Sequence, residues 1–302
     1  MINKDSKLLL GSFIPMKKST NYLLGTIAEA QIEGANCFMF YTGPPQTTKR
    51  TPIEELNVTE FRHQAQMGGI DLNTLAIHAP YVVNMANSIN PSTFSFGVDF
   101  LVQELKRADQ IGVKIVVVHP GAGVGASLEQ SLNQLVKGLN QVIEQKPQGI
   151  KIALETMSGK GSEVGVNFDQ LAYLIDHVDN NQDLGVCFDT CHLYDSGYDI
   201  KNQWDAVKQE FNQKIGLNKL YCIHLNDSKF GLNSHKDRHA NIGYGMLGFE
   251  ALDKIVHDPE LIMIPKYLET PWIGEIPPYK EEIAMLKNHQ FFDFMSEIEN
   301  QD

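Results

Sequence analysis

Short apolar runs alternate along the chain with longer stretches whose apolar positions recur every three or four residues. The runs fall at 8–10, 37–41, 75–78, 115–118, 152–155, 186–188, 220–225 and 262–268. Runs this short, apolar on successive positions, are the pattern of strands buried on both faces, as in a parallel sheet. Between them lie helical stripes. The clearest carries Val98, Leu101, Val102, Leu105, Ala108 and Ile111 on one face. Ser127 with Gln130 forms a capping box ahead of Leu128, Leu132, Leu135, Leu139 and Val142. Asn167 with Gln170 repeats that signal before Leu171, Leu174, Ile175 and Val178. Helices are also expected over 21–33, 53–67 and 281–292, with a polar loop over 81–91 and one long loop after the seventh strand. Strand-then-helix eight times over predicts an α/β protein, a single (β/α)₈ TIM barrel spanning 1–302. No low-complexity linker or shift in composition divides it.

Composition changes this picture little. The chain has 302 residues, 42% hydrophobic and 21% charged, ordinary for a globular protein with ample core. The amino-terminal apolar run is too short for a signal sequence, and no stretch approaches a membrane span, so a soluble cytoplasmic protein is expected. Cys37, Cys187, Cys191 and Cys222 form no C-x-x-C pair and read as buried, reduced thiols. The net charge of -12 by itself argues against a nucleic-acid partner. The acidic residues include any that bind metal, however, and bound cations reverse the local field.

Candidate chemistry gathers at the strand ends. His78, His119, Glu155, Asp189, His224 and Glu269 each close or follow an apolar run, separated by 41, 36, 34, 35 and 45 residues. That is about one βα unit each. In a parallel barrel all carboxyl ends point to one face, so these six side chains converge there. Each has an ordinary alternative. Asp189 in Gly-Val-Cys-Phe-Asp-Thr-Cys-His (185–192) is placed to cap the next helix. A lone histidine is a satisfied core residue, and Glu155 or Glu269 alone could accept loop amides. Six such groups buried together need cations to neutralise them, and their oxygen and nitrogen donors suit divalent transition metals. After the seventh strand, Asp237-Arg238-His239 places two donors at i and i+2. In an extended segment both face one way, so with His192 they make a further site, although the triplet alone reads better as a solvated loop.

With these residues in view, the chain resembles the endonuclease IV family of apurinic/apyrimidinic endonucleases, from Gly11 to about Leu286. The motifs that carry the resemblance are Gly-Val-Cys-Phe-Asp-Thr-Cys-His with Gly197-Tyr198-Asp199, His-Leu-Asn-Asp-Ser-Lys at 224–229, Asp237-Arg238-His239 with Ile242-Gly243-x-Gly245, and Leu268-Glu269-Thr270-Pro271. The resemblance implies three zinc ions, with manganese or iron as possible substitutes. His78, His119 and Glu155 would hold the first. Glu155 would bridge to a second on Asp189, His224 and Glu269, and His192, Asp237 and His239 would hold the third. It implies hydrolysis 5′ to an abasic sugar in duplex DNA, leaving a 3′-hydroxyl, with trimming of blocked 3′ ends. The nucleophile would be a hydroxide shared by two zincs, with Glu155 and Glu269 at the catalytic centre. Tyr81 and Val82 would wedge into the duplex. Gln46, Lys229 and Arg238 would contact DNA, with Lys236 a further candidate, and a monomer is expected. Two positions depart from the family. Gln46 stands in a loop where many members have arginine, a loss that Lys49 or Arg50 could offset. Phe13 stands where many have histidine. Competing readings are a metal-dependent sugar isomerase or epimerase of related fold, which has no use for the third ligand set, and a non-catalytic binder of damaged DNA.

Overall fold

A computed structural model describes residues 8–296. The reading of the first seven residues as lacking a signal sequence lies outside the described residues. Eight parallel strands close into a barrel. They are β1 (Leu10–Phe13), β2 (Cys37–Phe40), β3 (Ala76–His78), β4 (Ile115–Val118), β5 (Lys151–Glu155), β6 (Leu184–Asp189), β7 (Leu220–Leu225) and β8 (Lys266–Leu268). Each pairs with its sequence neighbours, and β1 closes on β8 through Leu10, Gly11 and Ser12 against Lys266, Tyr267 and Leu268. The helices α1 (Leu23–Glu33), α2 (Val58–Met67), α3 (Pro91–Ile111), α4 (Leu128–Gln145), α5 (Phe168–His177), α6 (Thr190–Asp195), α7 (Trp204–Lys214), α8 (Phe249–Val256) and α9 (Tyr279–Asn288) connect the strands. No described helix is long and apolar enough to cross a membrane. All four cysteines are free and buried.

The expected strands form, with shifts that have local causes. β1 runs on through Gly11 instead of stopping there. A Cβ on Gly11 would lie 1.7 Å from the carbonyl oxygen of Cys37, so this glycine allows β1 to approach β2. β8 is shorter than the apolar run predicts. Residues 261–264 form a turn, and Pro265, which has no N–H to give a ladder, precedes the first paired residue. The carbonyls of Leu261 and Ile264 accept from the buried Lys266 ammonium at 2.7 and 2.8 Å. Burial pushes that lysine down to about 8.

The helices show the same mixture. The Ser127 capping box forms in full, and Asn167 accepts from the backbone of Gln170. α3 begins at Pro91, with Asn90 as its cap, where proline's missing N–H costs nothing. Residues 53–67 split into a 3₁₀ turn and α2 because Asn57 adopts a left-handed conformation. The long loop after β7 contains α8, which buries Ala251, Leu252, Ile255 and Val256.

Glu33, in the last turn of α1, is buried and accepts from the Ser12 hydroxyl on β1. Burial pushes its carboxyl up to about 8, against that hydrogen bond. The unfolded chain would release this proton near 4.5, its ordinary value. Glu33 therefore stabilises the fold fully below pH 4.5 and loses that contribution as pH rises to about 8, at ~1.4 kcal/mol per pH unit. Glu33→Gln removes the titration. Thermal melts at pH 5, 7 and 9 should show the variant gaining on the wild type as pH rises. A difference that does not change with pH would place the proton elsewhere.

Candidate metal centre

Nine side chains from the carboxyl ends of the strands and the loops beyond them converge on one face. Glu155, at the end of β5 and 1% exposed, is the centre. Its Oε2 lies 3.0 Å from His78 Nε2 and 3.2 Å from His119 Nε2. Its Oε1 lies 3.3 Å from His192 Nδ1 and 3.2 Å from His224 Nδ1. Glu269 Oε2 meets the same His224 nitrogen at 3.0 Å. Asp189 does two things at once. Its Oδ1 accepts from the backbone of His192 at 2.9 Å, capping α6 as expected. Its Oδ2 faces His239 Nε2 at 3.6 Å and His224 Nδ1 at 3.9 Å. His192 Nε2 meets Asp237 Oδ1 at 3.0 Å.

Asp237 and His239 reach one centre, but not through a fully extended backbone. Asp237 has φ +51°, a left-handed conformation, and only His239 enters a two-stranded ribbon (His239–Ala240 against Asp227–Ser228). Arg238 points outward and donates to the carbonyl of Asp237.

Three of the imidazoles have one nitrogen anchored on the backbone and the other turned to a carboxylate. His78, His192 and His239 each turn Nδ1 to a backbone carbonyl, of Ala79 at 2.7 Å, Thr156 at 2.9 Å and Glu269 at 3.1 Å. A carbonyl only accepts, so the hydrogen sits on Nδ1 and the Nε2 lone pair faces Glu155, Asp237 or Asp189. Lone pair against carboxylate repels unless a cation or a proton lies between. His224 Nε2 and His239 Nε2 are buried without any hydrogen-bond partner. Carbonyl anchors of this kind fix the tautomer and aim of metal-binding histidines. The residues fit divalent ions with mixed nitrogen and oxygen coordination.

The charges agree. Burial pushes the Glu155 carboxyl up, but His224 and His119 outweigh it and hold it well below the usual carboxylate range. Burial likewise opposes Glu269 and Asp237, yet neighbouring imidazoles bring both to about 2. Burial lowers His192 and His224, and the facing carboxylates raise them well above the ordinary histidine value.

Residues that the sequence reading left without a role hold this cluster. Asn226 is fully buried; its amide donates to Asp189 Oδ2 at 2.8 Å and its oxygen accepts from the Glu269 backbone at 2.9 Å. Thr156 Oγ1 accepts from the Asp189 backbone at 2.8 Å. Asp195 accepts from the Asp237 backbone and the Ser228 hydroxyl. Asp227 gathers the backbone N–H groups of Ser228, Gly243, Gly245, Leu247 and Gly248 at 2.8–3.1 Å. Asn226 and Asp227 stand inside a motif already singled out, but only the tertiary fold shows which atoms they bind.

The surface candidates are scattered. Tyr81 is half exposed and lines a cleft with His119, and Val82 beside it is partly buried. Gln46, Lys49, Lys229, Lys236 and Arg238 are exposed. Arg50 is neither solvated nor available as a substitute contact. Its Nε pairs with Glu104 at 2.8 Å, its Nη1 donates to the carbonyls of Thr47 and Lys49, and its guanidinium lies over Phe100. Phe13 packs edge-on against Tyr41, whose ring lies 5.2 Å from that of His78. The departure at Phe13 thus backs His78 through one aromatic neighbour.

The barrel, with a cluster of histidines and carboxylates that could hold metal, is a TIM barrel of the xylose isomerase-like kind, and residues 27–289 match that family's model. Within that class the chain belongs to the endonuclease IV family. It is 52% identical over 295 residues to a probable endonuclease 4 of Geobacillus kaustophilus, covering 96% of this chain and 97% of that protein. A probable endonuclease 4 of Mesoplasma florum is 49% identical, covering 94% of this chain and 98% of that one. The crystal structure of endonuclease IV from Thermus thermophilus superposes with a TM-score of 0.77 at 28% identity, over 93% of this chain and 98% of that one. A D-tagatose 3-epimerase-like protein shares the fold at 17% identity and TM-score 0.67, over 97% and 99% of the two chains.

Proposed function

We propose that this protein is a DNA-repair endonuclease that hydrolyses the phosphodiester on the 5′ side of abasic sites in duplex DNA. The products are a 3′-hydroxyl and a 5′-deoxyribose phosphate, and the same centre trims 3′-phosphate and 3′-phosphoglycolate ends. The observation that carries this reading is the gathering of four histidines on Glu155, with Glu269, Asp189, Asp237 and His239 packed against that group, in a chain half identical to proteins called endonuclease 4. His78, His119 and Glu155 would hold one zinc. Glu155, Asp189, His224 and Glu269 would hold a second, and His192, Asp237 and His239 a third, with manganese or iron able to replace zinc.

When bound, such ions acidify water to near neutrality and offset charge on a phosphate under attack. The chain's own residues supply the rest. Glu155 and Glu269 stay ionised, so both keep negative charge at the centre. Asn226 and Thr156 hold Asp189 on opposite sides, by side chain and by backbone. Tyr81 stands beside His119, where an aromatic ring can enter the base stack of a damaged duplex, with Val82 as its apolar neighbour. Lys229, Arg238 and Gln46 are exposed to meet the phosphate backbone. The reading places the protein in the cytoplasm as a monomer, in one domain over 1–302, without an obligate protein partner.

The test is cleavage of a duplex carrying a single tetrahydrofuran abasic analogue, with product ends mapped before and after chelation. That analogue cannot undergo β-elimination, so only hydrolysis cuts it. The expected result is a 5′-side nick with a 3′-hydroxyl, lost on chelation and restored by zinc. No cutting by metal-replete protein would overturn the reading and turn attention to sugar isomerisation.

A further inference from the structure

Away from the centre, α8 and α9 end side by side. His257 follows the last turn of α8 and His289 follows the last turn of α9. In a parallel barrel the helices run opposite to the strands, so these carboxyl-terminal ends lie at the face where strands begin. The nine-residue cluster occupies the other face.

Asp253, His257 and His289 meet there. His289 Nδ1 lies 3.0 Å from Asp253 Oδ2, and His257 Nε2 lies 3.3 Å from Asp253 Oδ1. The two imidazole rings lie close together, with centroids 3.6 Å apart and planes tilted by 33°. His257 spends its Nε2 hydrogen on the carbonyl of Leu286 at 2.8 Å. That leaves Asp253 Oδ1 buried without a hydrogen-bond partner. Nearby lysines do not fill the gap, since Lys254 pairs with Asp205 and Lys287 donates to the carbonyl of Gly34.

We propose that Asp253, His257 and His289 bind one divalent transition-metal ion, of the zinc class, at a site separate from the nine-residue centre. Three ligand atoms lie within 4.8 Å of one another, close enough to share an ion. Two nitrogens and a carboxylate are donors that zinc accepts. The orphaned oxygen of Asp253 gains a partner. Both helix ends present partial negative charge, which favours a cation. On loading, His257 gives up its hydrogen bond to the Leu286 carbonyl: its hydrogen moves from Nε2 to Nδ1, and Nε2 turns its lone pair from that carbonyl to the ion. The ion then ties α8 to α9, so its role is structural rather than catalytic.

Equilibrium dialysis against buffered zinc tests this on the full chain, comparing wild type with Asp253→Asn and His289→Gln. Wild type is expected to hold one more zinc per chain than either variant. Zinc should also raise its melting temperature further than theirs, because an ion bound only to the folded state stabilises it. In zinc-limited buffer, where this outer site is empty, all three should melt together. Incision of abasic DNA should be unchanged in both variants. Equal zinc content in all three proteins across the buffered range would overturn the proposal. The comparison holds whether or not the protein cuts DNA, because it counts an ion outside the nine-residue centre.

Discussion

Glu269→Gln is expected to fold, retain its metals and incise abasic DNA at least about a thousandfold more slowly, a loss of ~4 kcal/mol in the barrier. The argument rests on charge. The carboxylate follows β8, partly open to solvent, with Oε2 3.0 Å from His224 Nδ1. The facing imidazole keeps it ionised at about 2 despite burial. Glutamine keeps the shape, loses the charge and presents an amide where an acceptor stood. The backbone of Glu269 stays anchored, because its N–H goes to Asn226 and its carbonyl to His239 Nδ1. The fold and the neighbouring ligands therefore have no reason to move. Single-turnover cleavage beside metal analysis decides the matter. Near wild-type cleavage with metals intact would remove Glu269 from the reacting centre.

The largest effect on stability is expected from Asp227→Ala. This side chain is fully buried and gathers five backbone N–H groups, four of them from the loop after the Asp227–Ser228 and His239–Ala240 ribbon. A Cβ on Gly245 would sit 2.4 Å from Asp227 Oδ1, so the loop closes over the carboxylate more tightly than a side chain allows. Removing it leaves five donors without their shared partner, two of them buried and three partly buried. The cost should be about 3–5 kcal/mol, the scale for stripping a buried charge from its hydrogen bonds. In a chain of this size that lowers the melting temperature by on the order of 10 °C. Incision should fall as well, since the ribbon also carries His239. Asp227→Asn, which keeps an acceptor oxygen, should recover part of the loss. A melting temperature within about 2 °C of wild type would mean that the loop finds other acceptors.

The two variants differ in how far their roles could be read in advance. Glu269 follows an apolar run, at a spacing that five other donors share, and a barrel brings such positions together wherever its strands begin and end. Asp227 also stands after an apolar run, but nothing in its spacing distinguishes a metal ligand from a carboxylate that collects amides. The five amides come from residues 1 to 21 positions downstream, and only the closed loop brings them to it. Arg50 is a similar case. As a sequence position it is a basic residue near a loop that could touch DNA. In the fold it is held by Glu104 and Phe100, both from α3.

By itself the sequence determined the barrel and the order of its strands, because buried parallel strands demand continuous apolar runs, and it pointed to candidate donors at and beyond the ends of those runs. It also placed the caps of α4 and α5, whose signals are local. The tertiary structure alone decided which atoms face one another. It turned His78, His192 and His239 by their carbonyl anchors, gave Asp189 both a cap and a place in the cluster, extended β1 through Gly11 and put a helix into the loop after β7. It also brought Asp253, His257 and His289 together from two helices. The physical reason is range. Periodicity and capping act over a few residues, whereas a hydrogen bond or a shared ion selects partners tens of residues apart, and no short pattern in the chain records that selection.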